Sequence, residues 1–179
     1  QENKENPVVQ LLNDEIVLQV PEGADVETRR AALQDWYHLQ LEILIPPLIS
    51  KWESILNVSV KRFSIRSMKT RWGSCTPKTR SIRINLELIK RPPECLEYIV
   101  VHELVHSLQG QYFEIGKWYQ EMDDLDDFTY YPGTVAFMEG QAVYVATRWR
   151  DAFDEYDRQS YNSQIPNNTC RVQLPSYLY

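Results

Sequence analysis

Two histidines four residues apart constrain this chain more than any other feature of its sequence. The segment His102-Glu103-Leu104-Val105-His106 lies in an apolar stretch after Pro92-Pro93, and proline is tolerated in the first turn of a helix. On a helix, residues i and i+4 lie on the same face, so the two imidazoles can reach one cation. Glu103 is offset by about 100° and can act on a water molecule without binding the ion. The pattern therefore predicts a metal-binding helix over residues 93–109, ending at Gly110.

The alternative is that His102 and His106 are core histidines beside a surface glutamate. The chain has only three histidines, so a chance match to His-Glu-x-x-His is on the order of a 1-in-300 event. The apolar residues around the segment also suit a buried helix face. We therefore favour metal binding.

A catalytic zinc takes three protein ligands and leaves one position open, so a third ligand is needed. Glu139 is the predicted one, because it lies 33 residues after His106 on a second helix with an apolar, mostly small stripe. A carboxylate facing that stripe is costly to bury unless it meets a cation. The alternatives are His38, a cysteine, the acidic loop with Asp123, Asp124, Asp126 and Asp127, and an ion pair of Glu139 with Arg148 or Arg150.

The charge of the chain is unevenly distributed along the sequence. The formal net charge is −6, but residues 61–91 hold ten basic side chains and one acidic one, a net of +9 that leaves −15 for the rest. This segment predicts an anionic or nucleic-acid-associated partner, unless its basic residues simply form the solvated face of strands. No apolar run approaches the roughly 20 residues of a membrane span. Three sparse cysteines favour a reducing, cytoplasmic location. The alternative is a removed signal peptide, because the chain begins at Gln1 and not at a methionine.

Hydrophobic periodicity predicts an α+β fold in which a small antiparallel sheet packs on helices, including the metal-binding one. We interpret residues 1–179 as one domain, with a helix and sheet portion over 8–91, metal-site helices over 92–157 and an irregular end over 158–179. The predicted elements are two short strands around an Asn13-Asp14 turn, a helix from Val26 that Pro46-Pro47 ends or kinks, strands over Val58–Ser67 and Ser81–Leu88 joined through a turn region, and a helix from Thr134.

Several segments resemble the YgjP-like metallopeptidase family, a branch of the zincins near the SprT-like group. The resemblance covers about residues 8–106, and its most specific part is Arg71-Trp72-Gly73-Ser74-Cys75 ahead of a strand and the His-Glu helix. The other matching segments are Arg29–Tyr37, Pro46–Ile49, Met68–Thr70, Asn85–Leu88 and Leu96–His106. The resemblance implies a zincin-like fold, a zinc ion held by His102 and His106, and Glu103 as the catalytic residue.

The chain departs from that family just after the motif. The family usually places a third histidine there, whereas residues 107–113 contain none. The segment Met138-Glu139-Gly140-Gln141-Ala142 is instead similar to the Glu-Gly-x-Ala element of gluzincin peptidases, which supplies a glutamate ligand. This second resemblance implies Glu139 as the third ligand, and such a mixture would also arise in a fused or designed chain.

The predicted function is zinc-dependent hydrolysis of peptide bonds through a metal-activated water, with Glu103 as general base. The alternatives are a nucleotide or phosphoester hydrolase that uses the basic 61–91 segment, and a non-catalytic binding module on the same scaffold. We expect an oxyanion donor among Tyr130, Tyr131 and Tyr144. The strand Ser81–Leu88 is the predicted edge for substrate, with Arg80 and Arg83 favouring acidic substrates and Trp72 lining the cleft or packing in the core.

Overall fold

The computed structural model describes residues 7–13, 15–113 and 130–151, and at residues 130–132 and 149–151 it describes the helix backbone alone. The acidic loop with Asp123, Asp124, Asp126 and Asp127 and the predicted irregular end at 158–179 lie outside the described residues. Strands β1 (Val8–Leu12) and β2 (Glu15–Gln19) pair antiparallel, which confirms the predicted N-terminal hairpin. Asn13 turns the chain with a φ of 50°, a conformation that asparagine tolerates well.

Helix α1 (Val26–Leu56) covers the predicted helix and the second helical piece that the sequence predicts through Leu48, Trp52 and Leu56. The two pieces form one helix, because α1 continues through Pro46 and Pro47. The Asp25 carboxylate caps its start by accepting a hydrogen bond from the Thr28 amide at 2.7 Å. Core residues lie on both sides of the proline pair: Leu41 and Ile45 before it, and Ile49 and Trp52 after it. We attribute the helix's continuity to this burial, which compensates for the two missing amide donors.

A three-stranded sheet is formed by the residues that follow α1 and precede the motif helix in the sequence. It consists of β3 (Arg62–Arg66), β4 (Gly73–Thr76) and β5 (Ser81–Asn85), in the order β3-β5-β4. The sheet is mixed, because β3 runs parallel to β5 and only β4 runs antiparallel to it. The prediction that the two longer strands pair antiparallel is therefore wrong in this detail, since the segment read as a turn region supplies β4 and forms the hairpin with β5.

The position of β5 also corrects the predicted substrate edge. Strand β5 is the central strand, so both of its edges are already hydrogen-bonded to β3 and β4. The strand ends at Asn85, after which a 3-10 helix spans Leu86–Lys90. Among the described strands of this sheet, β3 and β4 are the edges.

Helix α2 (Pro93–Tyr112) carries the histidine motif and confirms the predicted helix, but it does not end at Gly110. A Cβ at Gly110 would lie 3.1 Å from the Pro77 Cα and closer still to the Pro77 Cβ. Glycine is present here because a turn between β4 and β5 packs against the helix, not because the helix stops. Helix α3 (Tyr130–Asp151) begins before the predicted Thr134 and packs on α2.

The core packs helices α1 and α2 against one face of the three-stranded sheet. Its fully buried members include Leu41 of α1, Ile82 and Ile84 of β5, and Val100 and Leu104 of α2. The arrangement is the predicted α+β fold, with the motif helix packed directly beneath β4 and β5. No helix in the described ranges is long and apolar enough to cross a membrane.

Candidate metal centre

The two motif histidines lie side by side in the interior of the protein. Both belong to α2, and their Nε2 atoms are 3.1 Å apart. The His102 residue is 8% exposed, and the ring of Tyr98 stacks beside it. The i, i+4 spacing on a packed helix thus directs both ring nitrogens to one point, as the sequence pattern predicts.

Glu139 reaches the same point from α3. Its Oε2 atom lies 3.3 Å from the His102 Nε2 and 3.5 Å from the His106 Nε2. Bonds of 2.0–2.1 Å around a tetrahedral zinc ion separate neighbouring donor atoms by about 3.3 Å. Two imidazoles and one carboxylate are also donors that zinc takes at catalytic sites. The three residues therefore form a group that could hold a metal ion, and they fit zinc in both spacing and donor type.

The electrostatics of this group favour positive charge. Hydrogen bonds from His102 and His106 hold the pKa of the Glu139 carboxyl well below its usual range. Burial works against protonation of His106, but its hydrogen bond to Glu139 and the charge of Glu103 raise its pKa overall. The carboxylates thus stabilise a proton on the His106 imidazole in the absence of a cation. A metal ion would replace that positive charge.

Glu103 lies beside the group but is not part of it. The residue is 4% exposed, and burial raises the pKa of its carboxyl to about 7, an effect that the charges of His106 and Arg71 partly oppose. Its Oε2 atom is buried and has no hydrogen-bond partner in the part of the chain that the structure describes. A buried carboxylate oxygen of this kind requires a partner to offset its desolvation. A water molecule held at the metal centre is the partner that this chemistry calls for.

A backbone feature places Glu103 where it is. Gly73, the first residue of β4, lies so close to α2 that a Cβ there would fall 2.8 Å from the Glu103 Cγ and 2.8 Å from the Ile99 Cγ2. Real Cβ atoms are not found at such distances. The absence of a side chain at Gly73 therefore lets the Glu103 side chain pack against the start of β4. Sequence reasoning noted the Arg-Trp-Gly-Ser-Cys segment but had no signal for this contact.

The other predicted site residues whose side chains the structure describes do not join the centre. Tyr144 lies on α3 but is 64% exposed, and the side chain of Tyr131 is outside the described part of the structure. Trp72 is half-buried against the core, with the Arg91 guanidinium carbon 5.2 Å from its ring centroid. Arg83 is exposed on the sheet face opposite the core. The alternative ligand His38 lies on α1 and contacts Glu42 at 3.4 Å.

A comparison with protein families decides the classification. The family described as YgjP-like, metallopeptidase domain, matches this chain over residues 1–111. The chain belongs to the YgjP-like family. The match confirms the resemblance seen in the sequence and contains His102, Glu103 and His106, whereas Glu139 lies beyond it. Neither the curated proteins nor the solved structures contain a match.

The residues that stand where the family usually has a third histidine have another contact in this YgjP-like chain. The window in which the family usually has it is the end of α2, where Tyr112 instead contacts Asn57 at the end of α1. The Tyr112 hydroxyl donates to the Asn57 carbonyl at 3.0 Å and accepts from the Asn57 side-chain amide at 2.9 Å. The end of α2 thus bonds to the end of α1. The third residue of the candidate metal group, Glu139, lies on α3.

Proposed function

We propose that this protein is a zinc-dependent peptidase in which His102, His106 and Glu139 hold the metal and Glu103 is the general base. Membership of a metallopeptidase family supports a hydrolase of this broad class. The observation that carries the finer proposal is the convergence of three donor atoms within 3.1–3.5 Å of one another. Beside them lies a buried carboxylate oxygen without a hydrogen-bond partner among the residues that the structure describes.

The proposed chemistry divides between the metal and the side chains. When bound, zinc supplies Lewis acidity, which makes water a stronger acid and polarises a carbonyl group. Glu103 accepts a proton at Oε2 from the attacking water and passes it to the nitrogen of the leaving amine. Burial raises the pKa of the Glu103 carboxyl, and this makes it a stronger base towards the attacking water.

The edge of β4 is the proposed substrate-binding element. One edge of β4 pairs with β5, and the other is unpaired among the described strands. An extended peptide can add to such an edge through main-chain hydrogen bonds. Because Gly73 at the start of β4 contacts Glu103, a peptide on this edge would lie beside the proposed base.

Three arginines of the basic segment lie away from this centre, whereas the charge of Arg71 acts on Glu103. Arg62 and Arg66 of β3 and Arg83 of β5 share the outer sheet face, since the register pairs Ser64 with Arg83 and alternate residues along a strand share a face. All three are exposed, on the face opposite the core residues Ile82 and Ile84. Phosphate binding by these arginines at the metal group is therefore disfavoured, and peptide hydrolysis is the better supported function.

The same face suggests a preference for acidic peptides. Ser74 of β4 also pairs with Arg83, so a peptide added to β4 would direct every second side chain towards the face that carries Arg83. We propose an acidic peptide as the anionic partner, and no finding supports a nucleic acid. Arg83→Met should lower kcat/KM for acidic peptides but not for neutral ones; equal effects would exclude this preference.

Metal analysis tests the ligand set. The wild type should carry about one equivalent of zinc, and Glu139→Ala should lose most of it because only two donors remain. His38→Ala is the matched control and should keep its zinc, since His38 lies on the exposed surface of α1. Zinc retained in Glu139→Ala would exclude Glu139 as a ligand.

Activity measurements test the role of Glu103. Glu103→Gln preserves the size of the side chain and leaves all three ligands in place. It should keep its zinc and lose about 10²–10⁴-fold in peptide hydrolysis. Unchanged hydrolysis in this variant would contradict the peptidase proposal, and phosphate release from nucleotides without peptide cleavage would favour the phosphoester alternative.

A further inference from the structure

Gln109 is a buried polar residue that connects the two helices of the metal centre. It lies three residues after His106 on α2 and is 2% exposed. Its side chain makes three hydrogen-bond contacts: Oε1 is 2.9 Å from the His106 Nδ1, and Nε2 is 2.9 Å from the Met138 carbonyl oxygen and 3.0 Å from the Gln141 Oε1. The backbone atoms and side chains on α3 that it contacts lie immediately around Glu139.

The direction of these hydrogen bonds follows from the chemistry of the groups. A carbonyl oxygen can only accept, so the Gln109 amide nitrogen must face Met138 and its oxygen must face His106. Reversing the amide would bring two acceptors together at 2.9 Å. The His106 Nδ1 therefore carries the proton and donates it to Gln109. The lone pair of the neutral ring is then on Nε2, the atom that faces His102 and Glu139.

The Nδ1 atom of His102 differs from that of His106. Its Nδ1 is buried and has no hydrogen-bond partner among the described residues. Side chains or carbonyls that accept from a metal-binding histidine normally fix its tautomer and ring orientation. In the described part of the centre, Gln109 provides this function for one histidine and not for the other.

We propose that Gln109 is a positioning residue for both sides of the metal centre. Through its oxygen it holds His106 in the tautomer that presents Nε2, and through its nitrogen it holds the turn of α3 that carries Glu139 against α2. This inference depends on the proposed ligands but not on the peptidase activity. Loss of Gln109 should loosen two of the three donors at once, which a residue contacting a single ligand would not do.

The experiment compares Gln109→Met with Gln111→Met. Methionine matches the length of glutamine but removes its hydrogen-bonding groups. Gln111 is a matched control, because it lies on the same helix and its side-chain amide bonds to Ser59 and Ser107 and not to a proposed ligand. Zinc affinity is measured by competition with a chromophoric chelator, and unfolding temperatures are measured for both variants.

Zinc affinity should fall by about 10–100-fold in Gln109→Met, the range for lost partners of metal-bound histidines. Gln111→Met should stay within about threefold of the wild type, even where it lowers the unfolding temperature as much. In the cobalt-substituted protein, the visible absorption bands should shift in Gln109→Met alone. Equal losses of affinity in both variants, or no loss in Gln109→Met, would overturn the proposal.

A second measurement does not require the variant to fold or the metal to bind. Nitrogen-15 NMR of the metal-free wild type, at a pH at which His106 is neutral, reports which ring nitrogen carries the proton. The expected result is a protonated Nδ1 and an unprotonated Nε2 for His106. A proton on Nε2 instead would overturn the proposal, whereas absence of zinc binding with the expected tautomer would count against the proposed ligand set alone.

Discussion

Replacing Gly73 with alanine would put a methyl group into the space that Glu103 occupies. The added Cβ would lie 2.8 Å from the Glu103 Cγ and 2.8 Å from the Ile99 Cγ2. Non-bonded carbon atoms are best separated by about 3.5–4.0 Å, so the Glu103 side chain must move by roughly 1 Å. Ile99 and Glu103 are 5% and 4% exposed, which leaves both little room to adjust without disturbing the core.

A displacement of about 1 Å at a reacting group can lower the rate by about 10²-fold. That loss corresponds to about 2.7 kcal/mol in the activation free energy. The free energy of unfolding should also fall, by about 1–3 kcal/mol, as for other overpacked cores. The close contacts of the added methyl group are with Glu103 and Ile99 and not with the metal ligands, so the zinc content should not change.

The assay is kcat/KM on a fluorogenic peptide, with zinc content and unfolding temperature measured on the same samples. Gly133→Ala is the matched control, because its Cβ would meet nothing within 4 Å. Combining Gly73→Ala with Glu103→Gln should add little to the loss from Glu103→Gln alone, since both act through one carboxylate. Wild-type kcat/KM in Gly73→Ala would refute the reasoning, and so would full additivity in the double variant.

Three other predictions concern stability and protonation. Gly110→Ala should lower the free energy of unfolding by about 1–3 kcal/mol through its clash with Pro77, and an unchanged melting temperature would contradict this. Asn85→Ala should lower it by about 2–3 kcal/mol, because its buried amide bonds the loop between β3 and β4; chemical denaturation tests this. Because the pKa values of Glu103 and His106 are raised, both groups carry more protons at pH 6.5 than at pH 8.5, and zinc binding should release more protons at the lower pH. Calorimetry in buffers of different ionisation enthalpy measures this release, and an equal release at both pH values would contradict the prediction.

The features that sequence reasoning predicted well are those that depend on neighbours along the chain. The side-by-side placement of His102 and His106 follows from helical spacing alone, and the alternation of β5 indicates which of its residues face the core. The contact of Gln109 with His106 could have been predicted in the same way, because i, i+3 spacing puts Gln109 on the His106 face of α2. The approach of Glu139 required one further premise, that a buried carboxylate beside two histidines needs a cation.

Other features became visible only in the tertiary structure, because they depend on contacts between segments that lie far apart in the sequence. Strand β4 is too short and polar to show alternation, and without it β5 looks like an edge strand when it is central. Gly73 and Gly110 stand where another element leaves no room for a side chain. Helix α2 packs against Gly73, and Pro77 packs against Gly110. Local spacing thus determined which residues of α2 face the candidate metal centre, whereas packing between α2, α3 and β4 decided what surrounds it.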